Sequence, residues 1–338
     1  MRDAGLVVAI VGATGAVGEE MRNVLAEHDF PVAKLKPLAS PRSAGSTIEW
    51  RGRQHPVEIL TDDSFHGVDL ALFSAGTDVS LAHAPKAAAA GAIVVDNSRA
   101  FRMNPEVPLV VPEVNAHALD HHAGIIANPN CSTIQMVVAL KPLHDLARIK
   151  RVVVSTYQSA SGAGRKAMDE LRDQTVALLN FAEPKINAFS RRLAFDTLPH
   201  IDRFEDDGFT REEHKMIFET RKIMGLPELP VCATCVRVPV FIGHACSVNV
   251  ELERPVSIDE ACEALAAVPG VDVRRDPAEF PTANDVVGQD GVFVGRVRRD
   301  PSVPAGLALW VVADNLRKGA ATNAVQIAEA LLARGAFA

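Results

Sequence analysis

The residue that most directly suggests chemistry is Cys131, which lies in the run Asn128-Pro129-Asn130-Cys131-Ser132-Thr133. The apolar stretch 134–140 that follows has the length and pattern of a buried helix, so the thiol is predicted to lie at a helix N-terminus. There the unsatisfied backbone N–H groups and the helix dipole favour thiolate over thiol. An Asn-Pro-Asn sequence also favours a turn, which we expect to expose its residues, whereas an inert cysteine would be buried in the core. Cys131 is therefore a candidate nucleophile.

A glycine-rich loop near the N-terminus predicts a dinucleotide site. Gly12, Gly15 and Gly18 follow the apolar run 6–11 and open a helical pattern, which is the strand-loop-helix context that such a motif requires. Small residues there let the backbone approach a pyrophosphate at the helix N-terminus. A reactive thiolate and a dinucleotide in one chain suggest oxidation or reduction of an aldehyde.

The end of the second predicted strand bears on the choice of dinucleotide. About 20 residues beyond such a loop, an NAD-binding protein offers an acidic residue to the ribose hydroxyl. This chain instead has Ser40-Pro41-Arg42-Ser43. An arginine between hydroxyl groups suits a 2′-phosphate, so the sequence favours NADP, with an ordinary solvated Arg42 as the alternative.

Composition limits the class of protein. The chain has 338 residues, of which 48% are hydrophobic and 23% charged, so it is long enough for two domains of an ordinary globular protein. A net charge of -7 argues against a nucleic-acid partner, and no run of about 18 apolar residues exists to cross a membrane. The start of the chain has no pattern of a secretory signal, and five cysteines fit a reducing compartment. We therefore expect a cytoplasmic protein.

Alternating strand and helix patterns over the first 130 residues predict a parallel α/β sheet. The predicted strands are short, nearly continuous apolar runs at 7–11, 34–39, 70–73 and 93–96. The clearest helical patterns between them cover 17–27 and 79–90, and the second should end at Gly91.

The pattern changes from about residue 150, which predicts a second domain of α+β type. Residues 151–157 read as a strand, and 245–252 alternate like a half-exposed antiparallel strand. The final helical pattern, 322–333, follows a strand at 307–312, and we expect it to return to the N-terminal domain.

Several polar groups of this second region could take part in chemistry. Gln158 precedes the small-residue turn 159–164, which could approach a ligand closely. Glu212 and Lys215 lie three residues apart at the start of a predicted helix, where a solvated ion pair is the simpler interpretation. Arg237 and His244 lie at either end of a Pro-kinked segment, and for His244 taken alone a structural histidine is the simpler interpretation.

Together these features resemble the aspartate-semialdehyde dehydrogenases, in order and across nearly the full chain. The resemblance is carried by the Asn-Pro-Asn-Cys-Ser-Thr run, the loop 14–18, Gln158 with Ser161-Gly162, Glu212-x-x-Lys215, and the segment 237–244. It implies an N-terminal Rossmann-type domain and a catalytic and dimerisation domain like that of glyceraldehyde-3-phosphate dehydrogenase. The implied boundaries are 1–127 for the NADP-binding domain, 128–312 for the catalytic domain and 313–338 for a C-terminal helix returning to the first.

The resemblance also implies a role for individual residues. Cys131 would be the nucleophile, His244 the acid/base and Gln158 a group that orients the substrate. Arg237 would bind the substrate carboxylate and Glu212 its ammonium, while Arg102 and Lys215 would hold phosphate; Asn130 is a further implied substrate contact. The implied cofactor contacts are Gly12, Thr14, Gly15, Ala16, Val17, Ser40, Arg42, Ser43, Ser161, Gly162 and Asn315. Arg99 stands where the family has a small hydroxyl residue, so its role is open.

The implied reaction is the NADPH-dependent reductive dephosphorylation of 4-phospho-L-aspartate through a cysteine thioester. It would serve lysine, threonine, methionine and diaminopimelate synthesis, in a homodimer. Two alternatives are an N-acetyl-glutamyl-phosphate reductase-like enzyme and a non-catalytic NADP-binding regulator. The pair Cys232 and Cys235 lies in a strand-like segment with no second pair at ligand spacing, so we expect no metal site.

Overall fold

The computed structural model describes residues 5–43 and 45–337, which form two compact units. Unit 1 contains the described residues up to Asn130 together with those from Ala320 onward, and unit 2 runs from Cys131 to Gly319. The final helix therefore belongs to the N-terminal unit, as its sequence position after strand 307–312 predicted. The functional boundaries given above stay a prediction.

The described residues contain fourteen strands and eight α-helices. The strands are β1 (Leu6–Val11), β2 (Val32–Ala39), β3 (Thr47–Trp50), β4 (Arg53–Pro56), β5 (Glu58–Ile59), β6 (Leu70–Phe73), β7 (Ile93–Asp96), β8 (Ile125–Ala127), β9 (Ile149–Gln158), β10 (Val231–Arg237), β11 (His244–Leu252), β12 (Val271–Arg274), β13 (Val292–Asp300) and β14 (Gly306–Ala313). The helices are α1 (Ala16–Glu27), α2 (Thr77–Ala89), α3 (Pro112–Asn115), α4 (Cys131–Ala147), α5 (Arg165–Leu179), α6 (Arg211–Met224), α7 (Ile258–Ala266) and α8 (Thr322–Ala333).

Unit 1 is built on a parallel six-stranded sheet in the order β5-β2-β1-β6-β7-β8, with β3 and β4 as a separate hairpin. The strands β1, β6 and β7 are buried on both faces of the sheet, with successive side chains pointing to opposite sides. Val8 and Ile10 of β1 join a core with α1 and α8, whereas Ala9 and Val11 pack with Phe73 and α2 on the other side. The predicted parallel α/β sheet is confirmed.

Unit 2 is built on a mixed sheet in the order β10-β9-β11-β14-β13-β12. Strand β11 is antiparallel to both β9 and β14, as its alternating sequence predicted. Helices α4, α6 and α7 form a layer against this sheet. Cys246, Val248 and Val250 of β11 are buried, whereas Ser247 and Asn249 are only half-buried. The α+β character of the second unit is therefore confirmed.

Cys131 is the first residue of α4, so the predicted position of the thiol at a helix N-terminus is confirmed. The expectation that the preceding turn is exposed is wrong. Asn128, Pro129 and Asn130 are buried, while Cys131 is half-buried. The reason is that Asn128 Nδ2 donates to Asn97 Oδ1 at 2.7 Å and its Oδ1 accepts from Asn323 Nδ2 at 2.7 Å, so the amide is bonded inside unit 1 instead of facing water.

No helix in the described part of the chain is long and apolar enough to cross a membrane.

Candidate active site

The surroundings of Cys131 in unit 2 include one glycine that the sequence did not single out. A Cβ built on Gly319 would lie 2.8 Å from Cys131 Cβ and 3.3 Å from Cys131 Cα. Real Cβ atoms essentially never come as close as 2.8 Å to another atom, so any larger residue at position 319 would have to displace the start of α4. Gly319 therefore lets the backbone pack directly against the candidate nucleophile.

Gln158 links the start of α4 to helix α6. Its Nε2 donates to Ser132 Oγ at 2.8 Å and to Glu212 Oε1 at 3.2 Å. Gln158 is the last residue of β9 and is 1% exposed, so its amide is fixed between two neighbours within the protein. The sequence predicted a ligand-orienting role for Gln158 but missed Ser132 as its partner.

Glu212 and Lys215 form a partly buried ion pair, which rules against the simpler interpretation of a solvated surface pair. Lys215 Nζ donates to Glu212 Oε2 at 2.8 Å and to Asp202 Oδ2 at 3.0 Å. Burial alone would lower the pKa of Lys215, but Glu212 and Asp202 outweigh it and raise the pKa. Lys215 is therefore held as a cation beside a carboxylate that is itself buried.

Arg237, the last residue of β10, presents a buried guanidinium with unused donors. Among the described residues its one side-chain hydrogen bond is that from Nη1 to the carbonyl oxygen of Ser159, at 2.7 Å. Burial lowers the pKa of Arg237, and the negative charges of Glu212 and Cys131 act in the opposite direction. A guanidinium of this kind can bind a carboxylate through two parallel N–H groups.

His244, the first residue of β11, is completely buried and hydrogen-bonded through one ring nitrogen. Its Nδ1 lies 3.1 Å from the backbone N and 3.0 Å from Oγ of Ser159. Burial, helped by the nearby charge of Arg237, lowers the pKa of His244 to about 3. A Cβ built on Gly162 would lie 3.1 Å from His244 Nε2 and 2.9 Å from Arg237 Nη1, so Gly162 keeps the space beside both groups open.

Asn315 binds together three segments of unit 2. Its Oδ1 accepts from Ser159 Oγ at 3.1 Å, from Ser161 Oγ at 3.0 Å and from the backbone N of Gly243 at 2.9 Å. Within the described residues its Nδ2 makes no hydrogen bond. The structure thus brings the predicted residues Gln158, Ser161 and Asn315 close to His244 through Ser159, which the sequence placed in a small-residue turn without giving it a role.

The other predicted site residues lie in unit 1. Arg102 is buried and donates from Nε to the carbonyl oxygen of Asn128 and from Nη2 to that of Asn97, both at 2.9 Å. Carbonyl acceptors carry no formal charge, so these two contacts do not neutralise the guanidinium. Arg99 is exposed.

The glycine loop has the geometry that close approach to a phosphate needs. Gly12 has a φ of +88°, and a Cβ on it would lie 2.6 Å from the carbonyl oxygen of Ser74. Gly15 is the N-cap of α1 and no side chain caps that helix, so its first N–H groups are left for a ligand. Thr14 Oγ1 donates to Ser43 Oγ at 3.4 Å, which brings the loop next to the 3-10 turn Pro41–Ser43 that carries Arg42.

No group of three or more histidine, cysteine or acidic side chains among the described residues could hold a metal ion. Cys232 and Cys235 lie on β10, exposed and buried respectively.

Comparison with known protein families matches both parts of the chain. Residues 7–122 match the semialdehyde dehydrogenase NAD binding domain, and residues 140–318 match the semialdehyde dehydrogenase dimerisation domain. The aspartate-semialdehyde dehydrogenase of Aquifex aeolicus is 54% identical over 337 residues, which are 98% of this chain and 99% of that protein. The chain belongs to the aspartate-semialdehyde dehydrogenase family.

Other members agree with this assignment. The aspartate-semialdehyde dehydrogenase of Legionella pneumophila is 55% identical over 96% of this chain and 95% of its own. A crystal structure of aspartate semialdehyde dehydrogenase II from Vibrio cholerae, complexed with ASA, superposes with a TM-score of 0.96 at 51% identity, over 97% of this chain and 98% of that one. Aspartate semialdehyde dehydrogenase with NADP from Candida albicans superposes with a TM-score of 0.77 at 26% identity, over 98% and 99% of the two chains.

Family membership confirms the predicted resemblance, the fold class, the enzyme class and the NADP cofactor. The two alternatives, an N-acetyl-glutamyl-phosphate reductase-like enzyme and a non-catalytic regulator, are not favoured. The roles of individual site residues stay predictions.

Proposed function

We propose that this protein catalyses the NADPH-dependent reductive dephosphorylation of 4-phospho-L-aspartate to L-aspartate 4-semialdehyde. The observation that carries the proposal is one buried set of groups in unit 2. Gln158 joins Ser132, the neighbour of Cys131, to Glu212, and Arg237 and His244 lie against Gly162. This set offers a nucleophile, a carboxylate, a guanidinium and an imidazole within a single unit. Such a reaction supplies lysine, threonine, methionine and diaminopimelate synthesis.

Cys131 performs the covalent step. Its thiolate adds to the acyl carbon of the substrate, the C–O bond to the phosphate breaks, and a thioester of Cys131 remains. NADPH, when bound, supplies the hydride that reduces this thioester. When the thiohemiacetal loses its hydroxyl proton, the C=O bond re-forms and the C–S bond breaks, which expels the Cys131 thiolate and releases the semialdehyde. The helix N-terminus stabilises the Cys131 thiolate both before it attacks the substrate and after it is expelled in the last step.

The charges around the site recognise a small zwitterionic substrate. Arg237 binds the α-carboxylate through its unused N–H groups, and Glu212 binds the ammonium. Glu212 already accepts from Gln158 and Lys215, and a carboxylate has further lone pairs for an ammonium. Lys215 and Arg102 bind the phosphate, and Asn130 contacts the substrate. His244 is the acid/base that moves the proton when the thiohemiacetal forms or breaks.

The residues of unit 1 fit the NADP cofactor. In the loop, a Cβ on Gly12 or Gly18 would collide with backbone atoms, so the chain there is bare of side chains, and no side chain caps the first turn of α1. Further contacts in this unit come from Thr14, Ala16, Val17, Ser40, Arg42 and Ser43. We assign Arg42 to the 2′-phosphate, and Ser161, Gly162 and the Nδ2 group of Asn315 to the nicotinamide half.

The assembly is a homodimer formed through unit 2, and the location is the cytoplasm. The matched dimerisation domain supports the first statement. Tyr157 and Trp310 add support, because they pack with ring centroids 5.3 Å apart on the sheet and Tyr157 remains 39% exposed there. All five cysteines are free thiols, which supports a reducing compartment.

The test is a direct assay of the reverse reaction with purified protein. NADP reduction is followed by the absorbance of the reduced nicotinamide, with aspartate semialdehyde and phosphate supplied together. We expect reduction that depends on both compounds. Omitting phosphate is the control, and reduction with N-acetyl-glutamate semialdehyde in place of aspartate semialdehyde would contradict the proposal.

A further inference from the structure

Lys215 of helix α6 is held between two carboxylates, of which only one has a role in the proposed function. Its Nζ donates to Glu212 Oε2 at 2.8 Å and to Asp202 Oδ2 at 3.0 Å. Glu212 is assigned to the ammonium group of the substrate, whereas Asp202 contacts no group that the reaction uses except Lys215. One ammonium between two carboxylates carries a net negative charge. The three side chains together are therefore negative, although the lysine among them is assigned to an anion.

The carboxylate of Asp202 is oriented by the backbone of its own loop, which lies between α5 and α6. Its other oxygen, Oδ1, accepts from the backbone N–H of Arg203 at 2.9 Å. Asp202 has a φ of +66°, in the left-handed region that glycine, asparagine and aspartate adopt more readily than other residues. The backbone conformation and the bond from Arg203 thus hold the carboxylate beside Lys215.

The two carboxylates differ in their access to water. The side chain of Glu212 is 6% exposed, whereas that of Asp202 is 32% exposed. Glu212 also accepts from Gln158, which ties it to the interior of unit 2. Water can replace a bond that Asp202 gives up, so its ion pair with Lys215 can be loosened at a small cost in free energy.

The ammonium group of Lys215 has a donor left for a further anion. A lysine offers three N–H donors, and Lys215 uses two of them for its bonds among the described residues. Burial alone would lower the pKa of Lys215, but Glu212 and Asp202 raise it, so the group stays charged. A phosphate group that takes the third N–H also comes close to the charge of Asp202. Repulsion between the two anions opposes its binding.

We propose that Asp202 is a positioning residue that competes with phosphate for the ammonium group of Lys215 and thereby weakens the binding of phosphate. This role rests on the proposed function, in which Lys215 binds phosphate. In the absence of phosphate, Asp202 keeps the ammonium group in place and charged. When phosphate binds, the ammonium group interacts with three anionic groups, and its bond to Asp202 is the one that weakens.

Weak binding of phosphate suits a reaction in which phosphate leaves. The phosphate group is part of the substrate until the C–O bond breaks, and it is a free product afterwards. Interactions that bind it equally before, during and after this step do not accelerate the step, and they delay release of the product. A second carboxylate beside Lys215 reduces such binding, while the ammonium group itself stays in position.

Asp202→Asn tests this role, because asparagine tolerates the same φ and keeps an oxygen for the N–H of Arg203 but has no charge. The assay is NADP reduction with aspartate semialdehyde and phosphate. We expect KM for phosphate to fall about fivefold, the size of effect typical of an exposed ion pair, with KM for aspartate semialdehyde unchanged. A residue that only supported the fold would raise both KM values when replaced. An unchanged or higher KM for phosphate would overturn the proposal.

Asp207→Asn is the matched control. Asp207 lies in the same loop, accepts from the backbone N–H of Phe209 at 3.1 Å and lies 2.9 Å from Nε2 of His214 on α6. Its contacts resemble those of Asp202, but among the described residues it makes no bond with Lys215. We expect Asp207→Asn to leave KM for phosphate unchanged. An equal fall of this KM in the two variants would show that the overall charge of the loop is responsible, and would overturn the proposal.

Titration calorimetry with inorganic phosphate, on the whole protein with NADP, measures the same property without turnover. We expect Asp202→Asn to bind phosphate about fivefold more tightly than the wild-type protein does. In a Lys215→Met background this gain should disappear, because Asp202 acts through Lys215. A gain of the same size in the absence of Lys215 would overturn the proposal.

Asp202→Gly serves if Asp202→Asn does not fold, since glycine also adopts a φ of +66° and has no carboxylate. If the wild-type protein reduces no NADP with aspartate semialdehyde and phosphate, the proposed function fails. Calorimetry on the wild-type protein and Asp202→Asn then still decides whether Asp202 weakens phosphate binding, and absence of binding in both proteins would overturn this role.

Discussion

The glycine loop of unit 1 and the buried site of unit 2 differ in which part of the chain is offered to a ligand: the backbone in the loop, and side chains in the site. In the loop, Gly12 and Gly18 leave no space for a Cβ, and the polar side chains of Ser40 and Arg42 nearby are exposed. In unit 2 the groups that matter are side chains: Gln158, Arg237 and His244 are at most 6% exposed and each is held by a hydrogen bond.

The difference follows from what each region has to bind. A pyrophosphate is long and carries charge along its length, so backbone N–H groups at a helix start can hold it provided no side chain intervenes. A small substrate offers a few charged groups at fixed positions, and these must be matched by oriented side chains. We therefore expect NADP binding to be lost when a side chain is added to a glycine of the loop, and catalysis to be lost when the side chains of the site are removed or displaced.

Removal of the nucleophile should have the largest effect. In Cys131→Ala no thioester can form, so we expect kcat to fall by at least about 10⁴-fold. NADP affinity should be unchanged, because the glycine loop of unit 1 is untouched. Steady-state kinetics and fluorescence titration with NADPH measure the two properties. A variant that kept a tenth of the wild-type rate would show that covalent catalysis does not pass through Cys131.

Two glycine substitutions separate the regions directly. Gly12→Ala adds a Cβ at a φ of +88° and 2.6 Å from a backbone oxygen, so it should lower both the melting temperature and NADP affinity. Gly162→Ala meets the ends of Arg237 and His244 on an ordinary backbone, so it should leave the melting temperature unchanged but reduce kcat about 100-fold. Calorimetry and kinetics on both variants provide the comparison; equal loss of stability in the two would refute it.

The sequence allowed prediction of those features that depend on local patterns. The apolar runs of β1 and β6 specified strands buried on both faces, and the pattern at 322–333 has the same bounds as α8. The position of Cys131 at the start of α4 was equally local.

Features that join distant residues could not be predicted in the same way. Burial of Asn128 depends on Asn323, and the hydrogen bond that His244 Nδ1 accepts comes from the backbone of Ser159, which is 85 residues away in the chain. A small-residue turn at 159–164 marks a close approach but does not tell which hydroxyl meets which partner. For the same reason Gly319 was not singled out, and Ser132, although part of the run around Cys131, was not predicted to be the partner of Gln158.

Glu212→Gln tests whether the negative charge of Glu212 is needed to bind the ammonium group of the substrate. The neutral amide cannot balance a substrate ammonium, and Lys215 loses a partner, so its pKa should fall from its raised value. We expect kcat/KM for aspartate semialdehyde to fall about 30-fold, or roughly 2 kcal/mol. An N-acylated analogue, which has no ammonium, should be affected much less if it reacts. Near-wild-type kcat/KM for aspartate semialdehyde would place Glu212 outside substrate recognition.

Arg42→Ala should have the smallest effect, because this side chain is exposed in the turn after β2. Only NADP carries the 2′-phosphate that a charge-assisted hydrogen bond can hold, so we expect NADP affinity to fall about tenfold, or roughly 1.4 kcal/mol, with NAD affinity unchanged. Salt screens an exposed charge, so the preference of the wild-type protein for NADP should also shrink as ionic strength rises, whereas the buried groups of unit 2 should respond less. Titrations of both nucleotides at low and high salt measure this. Equal weakening of NADP and NAD in Arg42→Ala would mean that the arginine supports the loop and does not select the phosphate.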